Sequence, residues 1–326
     1  CFGDEMLQCE NRNNTYLTPD SEAKVSYASY LECVLDIISR HATPTQMRKI
    51  KSDLQLTGNT FAEAKYLQAA CESSVAASIA VAYGDTFEYE PKLNPPSDVD
   101  CSFSACGYKF NIEVKCPDYT KYHEHEAKDC YSIGVMGRLD GYFDAFESIK
   151  LLLGDEKAVE KQVHMDNKLK DYLLSCQKKF PVETSEKELN ILLVCCDSAM
   201  DMQKWVHYLY GYKGLLTEGS FIDPNLYSNV DVVILTNLYH RHYSYWQKDK
   251  LSEHWSLGKS FNLIFKNRSL QRGKDHAIWC LVDIFPNYSR EILDYPLQEL
   301  EEVTRIPRFV QFVEEKNDEY LFQPRI

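Results

Sequence analysis

Two uninterrupted apolar runs set the strongest limit on the fold: "LNILLVCCD" (residues 189–197) and "VDVVILTN" (residues 230–237). Each has the length of a strand and neither alternates. A sheet with one solvated face would need alternation, so these segments call for strands covered on both sides. Helical patterns flank them. In "DNKLKDYLLSCQKKF" (166–180) the apolar residues Leu169, Leu173, Cys176 and Phe180 recur at helical spacing, and "MDMQKWVHYLYG" follows the first run. One mixed α/β domain is the economical reading.

The rest of the chain extends this pattern. "SEAKVSYASYLECVLDIISR" (21–40) has helical periodicity, and "TPTQMRKIKSDLQL" (43–56) opens on a Thr-Pro start signal. "GNT" at 58–60 interrupts, and "FAEAKYLQAACESSVAASIAVAY" (61–83) predicts a further helix ending at Gly84. "DTFEYEP" (85–91) alternates like a strand. The expected organisation is a helical N-terminal extension over 1–58, a core over 59–250, and a C-terminal α/β extension over 251–326 packed on the core. That last part contains "FNLIF", "AIWCLVDIF" and an acidic helical segment, "PLQELEEV".

Bulk properties narrow the function classes. No apolar run approaches the ~18 residues of a membrane helix, and the longest, "ILLVCC", has strand length. The twelve cysteines include no C-x-x-C pair, and Cys195 and Cys196 are adjacent in a buried-looking run. They read as reduced core residues of a cytoplasmic protein, not a disulfide framework or zinc module. The first residue is Cys1, which leaves room for a removed targeting segment. With 36 basic and 49 acidic residues the net charge is −13. That argues against tight non-specific binding of nucleic acid by the whole surface, and leaves only a local basic groove for such a partner.

The chemistry is concentrated in "SDVDCSFSACGYKFNIEVKC" (97–116). A two-residue turn at Cys106-Gly107 makes this a hairpin in which Phe103 faces Phe110, Cys101 faces Ile112 and Val99 faces Val114. The same register puts Ser104 opposite Lys109, Ser102 opposite Asn111, Asp100 opposite Glu113 and Asp98 opposite Lys115 on the other face. A slip of one residue would mix the faces, so the register is well specified. Directly opposed Asp100 and Glu113 repel at Cβ separations of about 4.5–5.5 Å. A hard divalent cation between them removes that penalty.

This stretch resembles the core motif of the PD-(D/E)xK nuclease superfamily, over roughly residues 60–240. The resemblance implies a restriction-endonuclease-like fold: a mixed β-sheet flanked by helices. Asp100 would match the metal-binding acid, Glu113 the second ligand and Lys115 the catalytic lysine. The sequence has S-D where the family has P-D, so Asp98 and Asp100 both stand as the acid, with pairing opposite Glu113 favouring Asp100. Glu72 matches the glutamate of the family's first helix, the carbonyl of Val114 a further ligand, and Gln177 or Lys178 the residue of its later helix. The implied cofactor is Mg²⁺ or Mn²⁺ and the implied reaction is in-line hydrolysis of a phosphodiester leaving a 5′-phosphate, with DNA ahead of RNA as substrate.

Two stretches could supply the local groove. "NLYHRHYSYWQK" (237–248) interleaves Arg241 and Lys248 with histidines and aromatic rings, a pattern suited to unpaired bases. "KNRSLQRGK" (266–274) carries Lys266, Arg268, Arg272 and Lys274 with no acid. "YHEHE" offers His123 and His125, though no third metal ligand follows at regular spacing. "VCCD" suggests a reactive thiol, but burial in a strand would raise its pKa. The leading expectation is a Mg²⁺-dependent endonuclease of prokaryotic restriction or anti-phage defence, with a homodimer mate or protein partner adding positive charge. The alternatives are a non-catalytic nuclease-fold assembly module, and an RNase or repair nuclease using the same residues.

Overall fold

The computed structural model describes residues 9–126, 131–133, 138, 140–153, 159–161, 164–181, 185–197, 199–248, 251–267 and 273–286. Among them the chain forms α1 (Glu22–Ser39), α2 (Pro44–Asp53), α3 (Glu63–Tyr83), β1 (Glu88–Tyr89), β2 (Cys101–Ala105), β3 (Tyr108–Lys115) and α4 (Thr120–Glu126). It continues with β4 (Tyr131–Ile133), α5 (Tyr142–Leu153), β5 (Val159–Lys161), α6 (Asp166–Lys179), β6 (Glu188–Cys195) and α7 (Ala199–Tyr210). The last elements are β7 (Val232–Thr236), α8 (Leu238–His242), β8 (Asn262–Lys266) and α9 (Asp275–Ile284). The helical segment expected around 296–303 lies outside the described residues.

The chain is an α/β protein built on a mixed, open six-stranded sheet in the order β1-β2-β3-β6-β7-β8. β3, β6 and β7 run parallel, while β1-β2-β3 and β7-β8 are antiparallel. β4 and β5 form a separate parallel pair. The two apolar runs are the central strands β6 and β7, and their lack of alternation has a direct cause. Leu189, Ile191, Leu193 and Cys195 of β6 enter a core shared with α1, α3 and α9, whereas Leu192 and Val194 enter a second core shared with α6 and α7. Both faces are therefore dry. Leu169, Leu173, Cys176 and Phe180 are fully buried in that second core, as the stripe on α6 requires.

The N-terminal helices form part of the layer over the first face. α2 starts where the Thr-Pro signal puts it: Thr43 and Gln46 make a reciprocal capping box and Pro44 occupies the first turn. α3 is rich in Ala, Ser and Cys, so it can be buried on most of its circumference, with Ala69, Ala70, Ser73, Ser74, Ala76 and Ala77 all inside. This close-packed helix lies against β2 and β3, and its Glu72 lines the same cleft as Glu113 of β3. No helix among the described residues is long and apolar enough to cross a membrane. The ten described cysteines are free thiols.

Candidate active site

The β2–β3 hairpin forms with the expected turn. Cys106 (φ +52°) and Gly107 (φ +79°) both adopt left-handed backbone, as a two-residue hairpin with right-handed strand twist demands. Phe103↔Phe110, Cys101↔Ile112, Ser102↔Asn111 and Ser104↔Lys109 are all paired. The polar face is solvated only towards the turn, at Ser104 and Lys109; Ser102 and Asn111 are fully buried, and Asn111 donates to Glu188 Oε1 (2.8 Å) and Asn190 Oδ1 (2.9 Å).

At the open end the structure departs from simple ladder geometry. Pairing stops at Cys101↔Ile112, so Asp100 is not the ladder partner of Glu113, nor Asp98 that of Lys115, nor Val99 that of Val114. The backbone ahead of β2 is held from the other side, where Glu90 N donates to Asp100 O (3.1 Å) and Val99 N to Pro91 O (3.2 Å). Val99 consequently packs in the α6–α7 core while Val114 packs in the α3 core. The Asp100 carboxylate reaches across instead: its Oδ2 accepts from Val114 N at 2.6 Å.

The motif residues nonetheless share one cleft of about 570 Å³, whose lining includes Glu72, Asp98, Asp100, Glu113, Lys115 and Lys179. Its opposite wall comes from α2, the α2–α3 loop and the start of α3. Glu113 is 0% exposed. Its Oε1 accepts from Lys115 Nζ (2.5 Å) and pairs with Lys179 Nζ (2.6 Å), while its Oε2 is buried with no hydrogen-bond partner among the described residues. Glu72, on α3, accepts from Gln68 Nε2 at 2.8 Å.

Electrostatically the three acids strain one another. Burial first, then the Glu113 and Glu72 charges, push the Asp100 carboxyl well above the usual carboxylate range; Lys115 and the Val114 N–H only partly offset this. Burial likewise raises the Glu72 carboxyl, with Glu113 adding to it and Gln68 and Lys115 opposing. Burial works against the Lys115 ammonium, but Glu113 and Asp100 outweigh it and its pKa rises. Lys115 is therefore held charged.

The sequence points to Gln177 or Lys178 as the later-helix residue, whereas the structure brings Lys179 to Glu113. Gln177 Oε1 instead accepts from Asn229 N (2.7 Å), and Lys178 is exposed. The signal was present in the spacing: Lys179 lies three residues after Cys176, one helical turn along from the buried stripe.

The residues present fit a hard cation. No group of three or more His, Cys, Asp or Glu side chains converges as a metal cage among the described residues. Mg²⁺ seldom needs one; it is bound through one or two carboxylates and keeps several waters. Asp100 and Glu113 offer two carboxylates, an unsatisfied buried oxygen and a local excess of negative charge. Comparison of the chain with protein-family models, with curated proteins and with solved structures gives no match.

The proposed phosphate-contact stretches are placed differently from the expectation. Arg241 (1% exposed), Lys248 (7%) and Lys274 (5%) are buried. Arg241 Nη2 donates to Ser252 O (2.5 Å), Lys248 Nζ donates to the carbonyls of His240 and Tyr243, and Lys274 Nζ pairs with Asp231 Oδ2 (2.8 Å). Lys266 pairs with Asp275; Arg268 and Arg272 lie outside the described residues. The aromatic–basic pattern of 237–248 serves packing: Tyr245 stacks on Tyr27 at 3.7 Å, and His242 is held between Tyr27 Oη (2.7 Å) and Ser74 Oγ (2.9 Å). Periodicity cannot separate a ring that stacks on a base from one that stacks on a neighbour. Lys274→Ala is thus expected to act on stability: it removes the ammonium from the buried Asp231 carboxylate, to which Asn190 N also donates (2.9 Å), at a cost of about 1.5–3 kcal/mol for one charge-assisted hydrogen bond, read by urea unfolding.

The histidine motif also resolves differently. His123 Nε2 bonds Asp197 Oδ2 (2.9 Å), and His240 Nδ1 approaches Asp197 Oδ1 at 3.6 Å; the side chain of His125 lies outside the described residues. Burial would raise the Asp197 carboxyl, but the two imidazoles prevail and hold it low. Burial lifts the Cys195 thiol to about 11 and raises that of Cys196, so neither is a ready nucleophile.

Proposed function

We propose that the chain is a metal-dependent phosphodiester hydrolase of the PD-(D/E)xK type, an endonuclease acting on DNA ahead of RNA. The observation that carries this reading is the environment of Glu113: a buried carboxylate beside Asp100, with two lysines on one oxygen and none on the other. Purely structural burial of a carboxylate calls for full pairing, and half of this one is left open. Asp100 and Glu113 would hold Mg²⁺ or Mn²⁺, with Val114 and Asp98 adjacent. A divalent cation there would polarise the phosphate and acidify the attacking water.

The chain's own groups account for the remainder. Lys115, held charged, orients the water and offsets charge developing on the phosphate. Lys179 adds a second ammonium on the same side. Glu72, on the same cleft, would complete the acidic set that the family draws from its first helix. The cytoplasmic location and a role in restriction or anti-phage defence belong to the same proposal. A non-catalytic binding module is the second reading, favoured by one observation: the cleft lining holds more carboxylates than lysines.

The deciding experiment incubates the protein with plasmid, linear duplex, single-stranded DNA and RNA, with Mg²⁺ or EDTA. Metal-dependent cleavage supports the enzyme, and absence of cleavage on every substrate supports the module. Lys179→Ala should lower cleavage by about 10- to 10²-fold, the equivalent of one charge-assisted hydrogen bond of about 1.5–3 kcal/mol, measured as initial rates. An unchanged rate would remove Lys179 from the site.

A further inference from the structure

The tip of the β2–β3 hairpin is far along the strands from the carboxylates, and its residue choice is unusual. The first central position of such a turn favours Asn, Asp or Gly because φ is positive. Here it is Cys106, at φ +52°, and its side chain is exposed. The other described cysteines are buried, apart from the half-buried Cys9 and Cys33. One of the buried thiols is close by. Cys280, on α9, has its Sγ 4.0 Å from the carbonyl oxygen of Ala105, the residue that directly precedes Cys106.

We infer that Cys106 and Cys280 are a peroxide-sensitive thiol pair, whose oxidation to an intramolecular disulfide ties the hairpin tip to α9. Exposure assigns the order of events. Cys106, open to solvent, attacks hydrogen peroxide: an S–O bond forms, the O–O bond breaks and hydroxide leaves, giving a sulfenic acid. Cys280 then attacks that sulfur: the S–S bond forms, the S–O bond breaks and the oxygen departs as water. Two thiols and one peroxide give one disulfide and two waters. Burial first, and then the neighbouring Cys106, push the Cys280 thiol up to about 12, so peroxide does not find a thiolate there, and the Cys280 proton leaves with the sulfenic oxygen as water when the second step takes place. The disulfide would fasten α9, and with it the segment after β8, to the strand pair that carries the candidate site.

The test is independent of any nuclease activity. The intact chain is treated with hydrogen peroxide, and peptides are mapped without reduction by mass spectrometry. The expected result is loss of two thiols per monomer and a linked peptide pair containing Cys106 and Cys280. In Cys280→Ser, Cys106 should accumulate as sulfenic acid captured by dimedone, several-fold more than in the wild type; in Cys106→Ser, Cys280 should stay unmodified. Thermal melts establish that both near-isosteric variants are folded. Equal dimedone capture in the wild type and Cys280→Ser, or Cys106 linked only between chains, would overturn the pairing.

Discussion

Lys115→Ala is expected to lower Mg²⁺-dependent nicking of supercoiled plasmid by about 10²- to 10⁴-fold, measured at a temperature where the melting curve of the variant shows it to be folded. The size follows from what the side chain does. Its ammonium is desolvated yet kept charged by Glu113 and Asp100, so at neutral pH it is a fixed positive charge rather than a proton acceptor. Such a group, aimed into a recessed cleft, is worth more than the same charge on the surface. Removing it also leaves Lys179 as the remaining ammonium on Glu113 Oε1. Because Lys115 stays protonated across the working range, the rate–pH profile should contain no inflection that disappears in Lys115→Ala. Initial rates with Mg²⁺ and with EDTA check both points. If the wild type cleaves and the variant matches it, Lys115 has no part in the reaction; if neither cleaves any substrate, the binding-module reading takes over.

Much of the scaffold was legible because it depends on local rules. The unbroken apolar runs of β6 and β7 suited strands covered on both faces, and the α6 stripe suited a helix that faces a core. The hairpin register was legible because one pairing alone separates Phe103, Phe110, Cys101 and Ile112 from their polar neighbours. What failed had non-local causes. The bend at Asp98–Asp100 is imposed by Glu90 and Pro91, which hold that backbone from the opposite side, and a two-strand argument does not contain them. Lys179 reaches Glu113 from a helix about sixty residues later in the sequence, so its membership depends on how α6 packs against β3. Arg241 and Lys248 failed in the opposite sense: their spacing suited a nucleic-acid surface equally well, and the N-terminal helices α1 and α3 decided the matter by enclosing the segment.

Asp100→Asn should separate stability from metal binding, with effects of opposite sign. In the absence of divalent ions, burial and the charges of Glu113 and Glu72 all disfavour the ionised carboxylate. The folded chain therefore binds this proton more tightly than the unfolded chain, whose carboxyl titrates near ~3.9. The stability this group contributes is fully present below that unfolded value and is lost as pH rises through the elevated folded one. Asparagine keeps an acceptor for the Val114 N–H and cannot ionise. In EDTA at pH 8 the variant should melt above the wild type, by about 2–4 °C for each kcal/mol of strain removed; near pH 4 the two should converge. Saturating Mg²⁺ should reverse the order. A cation that binds the folded wild type alone stabilises it by about 2.7 kcal/mol at a hundredfold excess over Kd, whereas Asp100→Asn should show little shift and no measurable cleavage. Differential scanning calorimetry across pH, with and without Mg²⁺, reads all of this without an activity assay. A variant less stable than the wild type in EDTA at pH 8 would mean that the ionised Asp100 is favourable without a cation, and the argument for a metal between these two carboxylates would lose its physical basis.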